Sequence, residues 1–376
     1  MKPEPFRIEP KFVPRIWGAC SLAPLYPEKT NLTEPIGEVW LTGVDCKVVT
    51  GPFAGKTLGE AWREMPAEWR GTRFSEPGDF PILIKFIFPH DKLSIQVHPD
   101  DAYAAVHEKA AGGRGKTEMW HVVRAEPGAH VLIGTKPGVT KRKVRDAIDK
   151  NTLESLLGKY PAFNGDTFFV PAGTPHTIGP GMILCEVQEY SDLTYRVYDY
   201  GRVDAKGKPR ELHVQKALDV MHPGKTKGGK IPPLSVYTAY RSHSKVKVGR
   251  NVTLLSACRY FSVERWEFYE GTSIAAGKDP AFAILVVLNG KGQMGWGRNV
   301  WITGHGVMKR GSLRRSSGFE AGQCWFIPAN LMPMAAPESA PHATMLRTYV
   351  PDLAALRSAL KQEHHSEAAI ARTILE

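Results

Sequence analysis

Two segments of this chain place metal-binding side chains at strand spacing, and a third sets a histidine after a strand and a tight turn. In Leu93-Ser-Ile-Gln96-Val-His98, Gln96 and His98 stand two residues apart, hence on one face of a strand. In Gly115-Lys116-Thr-Glu118-Met-Trp120 the same spacing puts Lys116 and Glu118 on a single face. The third segment, Gly165-Asp-Thr-Phe-Phe-Val-Pro171-Ala-Gly173-Thr-Pro-His176, reads as a strand, a turn made by Pro171 and Gly173, and a second strand that aims His176 inward. A lone strand histidine is usually structural, but this frame makes a ligand the better reading. Two histidines, a carboxylate and an amide oxygen (Gln96, His98, Glu118 and His176) form a nitrogen and oxygen donor set suited to zinc, with positions left for water or substrate. Iron and manganese accept the same ligand types.

Strands must carry these groups. Apolar patches at 81–88, 120–123 and 167–171 have strand character, and 99–109 reads as a short helix with proline and acids in its first turn. Further helical segments are expected at 140–148, 152–157 and 211–221. The glycine- and proline-rich run from Gly224 to Pro233 is the best linker. Beyond it, strand-like segments at 261–268, 282–288, 324–327 and 343–350, separated by turn residues, suggest an all-β sandwich or barrel. The tail, 352–375, has helical periodicity interrupted at His364-His365-Ser366.

The pattern Gly-x5-Pro-x-Gly-x2-His over 165–176 resembles the second motif of the cupin β-barrels at every fixed position. Together with Trp17-Gly18, Ile36-Gly-Glu38-Val-Trp40, Ser94-Ile-Gln-Val-His-Pro-Asp-Asp, Gly115-Lys-Thr-Glu-Met-Trp and Glu186-Val-Gln-Glu-Tyr-Ser-Asp-Leu-Thr-Tyr-Arg196-Val-Tyr-Asp, it makes the chain resemble the type I mannose-6-phosphate isomerases in their short bacterial form, nearly end to end. Ordinary cupins carry His-x-His and a nearby glutamate; here Gln96 replaces the first histidine and Glu118 lies twenty residues past His98, as in the isomerases. The resemblance implies one zinc ion per chain at Gln96, His98, Glu118 and His176. It implies that Arg196 and Lys116 face the substrate and that Lys85 and Ser94 help to hold its phosphate. The implied reaction interconverts D-mannose 6-phosphate and D-fructose 6-phosphate through a cis-enediol. Glu186, ten residues before Arg196, is the candidate base, and proton relay through Lys116 is its rival; a hydride shift ranks below both. Trp17, Glu38 and Trp40 are read as structural or rim residues, and His107, His121, His364 and His365 as outside the site.

The implied fold is mainly β with short helices: two cupin-type jelly-roll barrels, an N-terminal catalytic one with helical additions (1–223) and a C-terminal metal-free one with a helical tail (251–376), joined by a linker at 224–250. Gly322-Gln-Cys-Trp-Phe-Ile-Pro328-Ala-Asn330 echoes the strand-turn frame without its histidine, and a scaffolding role is expected for this half. With 36 glycines and 29 prolines the chain is too turn-rich for a helical bundle. The longest apolar run has eight residues, far short of the ~20 a membrane helix needs. The first residues lack a hydrophobic signal core, so a cytoplasmic protein is expected, with no membrane partner.

The five cysteines show no CxxC spacing and are read as buried free thiols. The net charge of +11 favours anionic partners, a phosphosugar above all. The acid-free basic stretches at 220–263 and 291–319 lack an RNA-binding or helix-turn-helix signature, so they are read as solvated loops and no specific nucleic-acid partner is expected. A monomer or weak homo-oligomer is expected. The alternatives are a non-catalytic sugar-phosphate-binding or regulatory cupin, an iron oxygenase of the same barrel type, and polyanion binding through the basic stretches.

Overall fold

A computed structural model describes residues 2–74, 78–203, 207–224, 228–242, 245–269, 272–275, 280–296, 315–331, 334–337 and 342–375. Strands dominate, gathered in three antiparallel sheets of seven, five and eleven strands. In the seven-stranded sheet the central neighbours are Thr167–Val170, Glu118–Ala125, Met182–Glu189, Ile82–Ile87 and Ile36–Trp40, in that spatial order. In the five-stranded sheet Tyr195–Tyr198, Ile95–Val97, His176–Ile178, His130–Thr135 and Leu157–Pro161 follow one another.

The two smaller sheets pack face to face through one apolar cluster. Ile87, Trp120, Val122, Phe168 and Leu184 come from the first, and Val131, Ile133 and Ile178 from the second. The opposite face of the seven-stranded sheet is buried as well: Ile84, Phe86, Met119, Cys185 and Val187 pack in one core with Phe282, Ile284, Val286 and Phe326 of the second half. Burial on both faces explains why Ile82–Ile87 reads as a continuous apolar run instead of an alternating one. Lys85 is the single charge inside that run, and it is buried too.

The eleven-stranded sheet holds the strands of the second half, and two of its features run against the expected organisation. Leu234–Ser242 and Lys245–Ala257 pair as a hairpin of this sheet, so part of the segment read as a linker at 224–250 is strand. Phe6–Ile8, from the far N-terminus, pairs with Cys324–Ile327, and the rings of Phe6 and Phe326 stack with centroids 4.7 Å apart. The second half therefore completes its sheet with a strand from the first. The basic stretch at 220–263 is likewise largely strand, with Val252, Leu254 and Val263 buried. Of the stretch at 291–319, Lys291–Trp296 and the start of Arg315–Glu320 form a strand pair, while 297–314 lie outside the described residues.

Helices form where expected, at Asp101–His107, Lys141–Asp149 and Val214–Val220, but Leu153–Leu156 is a 3-10 turn. The tail folds as Leu353–Gln362 and Glu367–Thr373, and Ser366 in the polar interruption caps the second helix by accepting from the amide of Ala369. Asp100 caps the helix that follows His98, accepting from the amide of Tyr103 at 2.8 Å, which stops the strand just past that histidine. All five cysteines are free; Cys20 is exposed, against expectation, and the other four are buried. Among the described residues no helix is long and apolar enough to cross a membrane.

Candidate metal centre

His98, Glu118 and His176 meet at one end of the two smaller sheets, with their ligating atoms all within 4.8 Å of one another. Glu118 opens its strand in the seven-stranded sheet, His176 opens its own in the five-stranded sheet, and His98 directly follows Ile95–Val97. The turn between them has a local cause. Gly173 adopts φ +78°, and a Cβ there would run into the His222 ring, so only glycine fits. Its amide donates to the carbonyl of His98 at 2.8 Å, tying the turn before His176 to the strand that ends in His98.

Glu118 Oε1 lies 3.2 Å from His176 Nε2, and Oε2 lies 3.6 Å from His98 Nε2. The other ring nitrogens are committed: His98 Nδ1 donates to the Leu193 carbonyl at 2.7 Å and His176 Nδ1 to that of Thr174 at 2.8 Å. Both imidazoles thus turn the lone pair of Nε2 toward Glu118. Burial, and after it the charge of Lys116, holds the His98 pKa well below its usual value. Burial likewise lowers His176 to about 4, so both rings are neutral. His98 Nε2 and Glu118 Oε2 are buried without a hydrogen-bond partner. Orphaned donor atoms of this kind are costly unless something electropositive satisfies them, and a divalent cation fits.

Gln96 stands opposite His176 in the strand register, with its side-chain amide 3.3 Å from His176 Nε2. A half-turn of the amide presents its oxygen at the same point. On the other flank of Ile95–Val97, Arg196 stands opposite Gln96, so Arg196, Gln96 and His176 form a row across three strands. Arg196 is half-buried: Nη1 donates to the carbonyl of Glu211 at 2.8 Å, and Nε is buried without a partner.

Lys116 Nζ lies 3.4 Å from Glu118 Oε2 and 3.7 Å from Glu186 Oε1. Burial opposes its charge, but the two glutamates outweigh that cost and hold its pKa above the usual lysine value. Glu186 sits opposite Lys85 on one side and Trp120 on the other. Burial, then Glu118, raises its pKa against the pull of Lys116 and Lys85. Its Oε1 makes no hydrogen bond.

Lys85 is brought into a cluster that the sequence reading left outside the site. Its Nζ lies 3.0 Å from Asp192 Oδ1, 3.7 Å from Glu38 Oε2 and 4.6 Å above the Trp40 ring. Trp40 Nε1 donates to Glu38 Oε2 at 2.7 Å, and Arg15 pairs with the same oxygen at 3.0 Å. Against the cost of burial, Lys85 and Arg15 hold the Glu38 pKa down at about 2. Glu38 and Trp40 stand two apart on one strand, and Trp40 is the residue opposite Lys85 in the register. Nothing local pointed to Asp192 or to the carbonyls of Leu193 and Thr174. Ser94 is buried two residues before Gln96 in the other sheet's segment, and no hydrogen bond joins it to Lys85.

Among the described residues no second cluster of three such ligands occurs, in the second half or elsewhere. The second half does repeat the tryptophan device: Trp266 Nε1 donates to Glu264 Oε2 at 2.9 Å, and Arg347 pairs with that glutamate while lying 5.7 Å from the Trp266 ring.

Comparison with known proteins places this arrangement. The family model of the phosphomannose isomerase type I catalytic domain matches residues 6–122. The chain is 34% identical over 308 residues to mannose-6-phosphate isomerase ManA of Bacillus subtilis (strain 168), spanning 80% of this chain and 90% of that one. It is 33% identical over 296 residues to the mannose-6-phosphate isomerase of Streptococcus mutans, spanning 77% and 87%. The crystal structure of the mannose 6-phosphate isomerase from Bacillus subtilis superposes with a TM-score of 0.75 at 27% identity, over 92% of this chain and 99% of that one.

Proposed function

This chain belongs to the mannose-6-phosphate isomerase family, and we infer from that membership and from the geometry above that it interconverts D-mannose 6-phosphate and D-fructose 6-phosphate at a zinc-centred pocket. Gln96, His98, Glu118 and His176 would hold the ion. Bound there, zinc would supply a Lewis acid for the oxygens on C1 and C2 of the sugar.

The chain's own residues then divide the remaining work. Glu186 takes the proton from C2 and returns it to C1, which its raised pKa suits, because a base poised near neutrality both accepts and releases protons. Lys116, between Glu118 and Glu186, faces the negative charge that develops on the enediol oxygens. Arg196, in the row with Gln96 and His176, closes the substrate side of the site. Lys85 and Ser94 hold the phosphate, whose binding energy positions the reacting carbons. The observation that carries this assignment is Lys116 Nζ within 3.7 Å of both the donor cluster and the candidate base.

On this reading the two smaller sheets are a cupin-type barrel and the eleven-stranded sheet a second, metal-free one that serves as scaffold; the Pro171–Gly173 turn before His176 supports it. The chemistry lies within 1–223 and the support within 251–376. A cytoplasmic enzyme, monomeric or weakly self-associating, completes the proposal.

The test is a coupled assay of fructose 6-phosphate formation from mannose 6-phosphate, before and after chelation and with zinc restored. Turnover lost on chelation and regained with zinc is the expected result. Absence of turnover with zinc demonstrably bound overturns the reading and favours a sugar-phosphate-binding protein. Deuterium entering C1 from heavy water separates proton transfer from a hydride shift.

A further inference from the structure

The segment Gly115–Glu118, which carries both Lys116 and Glu118, is held at four backbone points. The Lys116 amide donates to the Pro99 carbonyl at 3.0 Å, and the Glu189 amide to that of Thr117 at 3.1 Å. The Gly115 amide donates to Asp101 Oδ1 at 2.9 Å and the Thr117 amide to Glu189 Oε1 at 2.7 Å. These two carboxyl groups thus hold the amides on either side of Lys116. Gly115 lies directly on the start of the helix after His98, where a Cβ would come within 2.6 Å of the Asp101 amide nitrogen. Asp101 is thus joined to the strand end at His98 and to the segment bearing Glu118.

The remaining oxygen of Asp101 is taken by the second half of the chain. Tyr260 donates its hydroxyl to Asp101 Oδ2 at 2.6 Å, and Arg259 Nη2 donates to the same atom at 3.1 Å. The loop that presents them is firm: the Cys258 amide donates to the Phe261 carbonyl at 2.8 Å, and Cys258 and Phe261 are buried in the core shared by the two halves.

We propose that Tyr260, supported by Arg259, is a positioning residue for Lys116 and Glu118, acting through the Asp101–Glu189 carboxyl pair. The second half is then part of the active-site framework, not only a scaffold beside it. The inference rests on the catalytic reading above for its kinetic consequences, but its effect on the metal donor set can be read separately. Outer groups that orient ligands typically change metal affinity or activity ~10–100-fold when removed, and a brace one step further out belongs at the low end.

The experiment compares Tyr260→Phe, Asp101→Asn, their double variant, Glu189→Gln and Tyr26→Phe. Tyr26 donates a buried hydrogen bond to the Gly322 carbonyl at 2.8 Å, so its variant breaks a contact between the halves away from the site. Zinc affinity is measured by competition with a chromophoric chelator, alongside kcat and KM for mannose 6-phosphate and a thermal melt. Tyr260→Phe is expected to lower kcat and weaken zinc about ten-fold with KM little changed, and the double variant to be no worse than Asp101→Asn. Glu189→Gln, which keeps the oxygen that accepts from the Thr117 amide, retains both properties. Tyr26→Phe lowers the melting temperature only. Wild-type kcat and zinc affinity in Tyr260→Phe, or equal losses in Tyr26→Phe, would overturn the proposal. A wild-type protein that binds zinc without turnover sinks the catalytic reading, while the affinity comparison still decides the brace.

Discussion

His98 gives its Nδ1 proton to the backbone carbonyl of Leu193 at 2.7 Å, and this one bond determines what the other ring nitrogen can do. With Nδ1 committed and the ring kept neutral by burial, Nε2 has only a lone pair to offer, and it faces Glu118. His98→Ala or His176→Ala is therefore expected to leave the protein folded but unable to retain its ion. Metal content by atomic emission should fall well below one per chain, and kcat/KM by at least about a hundred-fold, as removal of a metal-activated step requires. Full metal content in either variant would exclude that residue as a ligand.

Glu186 lies under the same cluster with an unbonded oxygen. Glu186→Gln should lower kcat by about 10²–10⁴, the usual worth of a positioned general base, with KM changed little. The pH profile carries the sign. Burial and Glu118 raise the carboxyl pKa, so the acid form persists to a pH above the ordinary glutamate range. Because only the ionised form accepts the C2 proton, kcat/KM should fall as pH drops through that raised value. An ascending limb unchanged in Glu186→Gln assigns the base elsewhere, with Lys116 first in line.

Lys85 stands where a cation is expensive to bury, yet three partners surround it: Asp192, Glu38 and the Trp40 face. Lys85→Met should raise KM for mannose 6-phosphate about ten-fold or more, in keeping with loss of a charge-assisted hydrogen bond to phosphate. Inorganic phosphate as a competitive inhibitor should weaken in parallel. A fall in melting temperature with KM and phosphate inhibition unchanged would reduce Lys85 to the partner of Glu38.

Glu189 makes a prediction about stability. Burial first, then Asp101, pushes its pKa up to about 8 from an ordinary value near 4.5. A carboxyl whose pKa rises on folding contributes stability that is fully present below the unfolded value and is lost as pH rises through the folded one. Urea midpoints should therefore decline between pH 5 and 8, and a fixed proton donor in Glu189→Gln should flatten that decline. Equal slopes in the two proteins would show that Glu189 is not the group behind the decline.

What the sequence determined by itself is local and chemical. Gln96 and His98 at strand spacing, Lys116 beside Glu118, and the Pro171–Gly173 turn before His176 are legible because alternation along a strand fixes which side chains share a face. The helix after His98 is legible from the proline and acids at its start, Pro99, Asp100 and Asp101. The tertiary structure decided everything that depends on which strand lies beside which. Lys85 meets Asp192 across 107 residues, and Glu189 reaches the amide of Thr117 across 72. Phe6–Ile8 completes a sheet of the second half, and the expected linker supplies a hairpin to it. A strand's own residues state which face is buried but not which strand its backbone groups will bond, since pairing is settled by the competition of all edges for hydrogen bonds and apolar cover. The candidate donors were therefore visible in the sequence, while the groups that hydrogen-bond to them and to their neighbours became visible only once the sheets had closed around them.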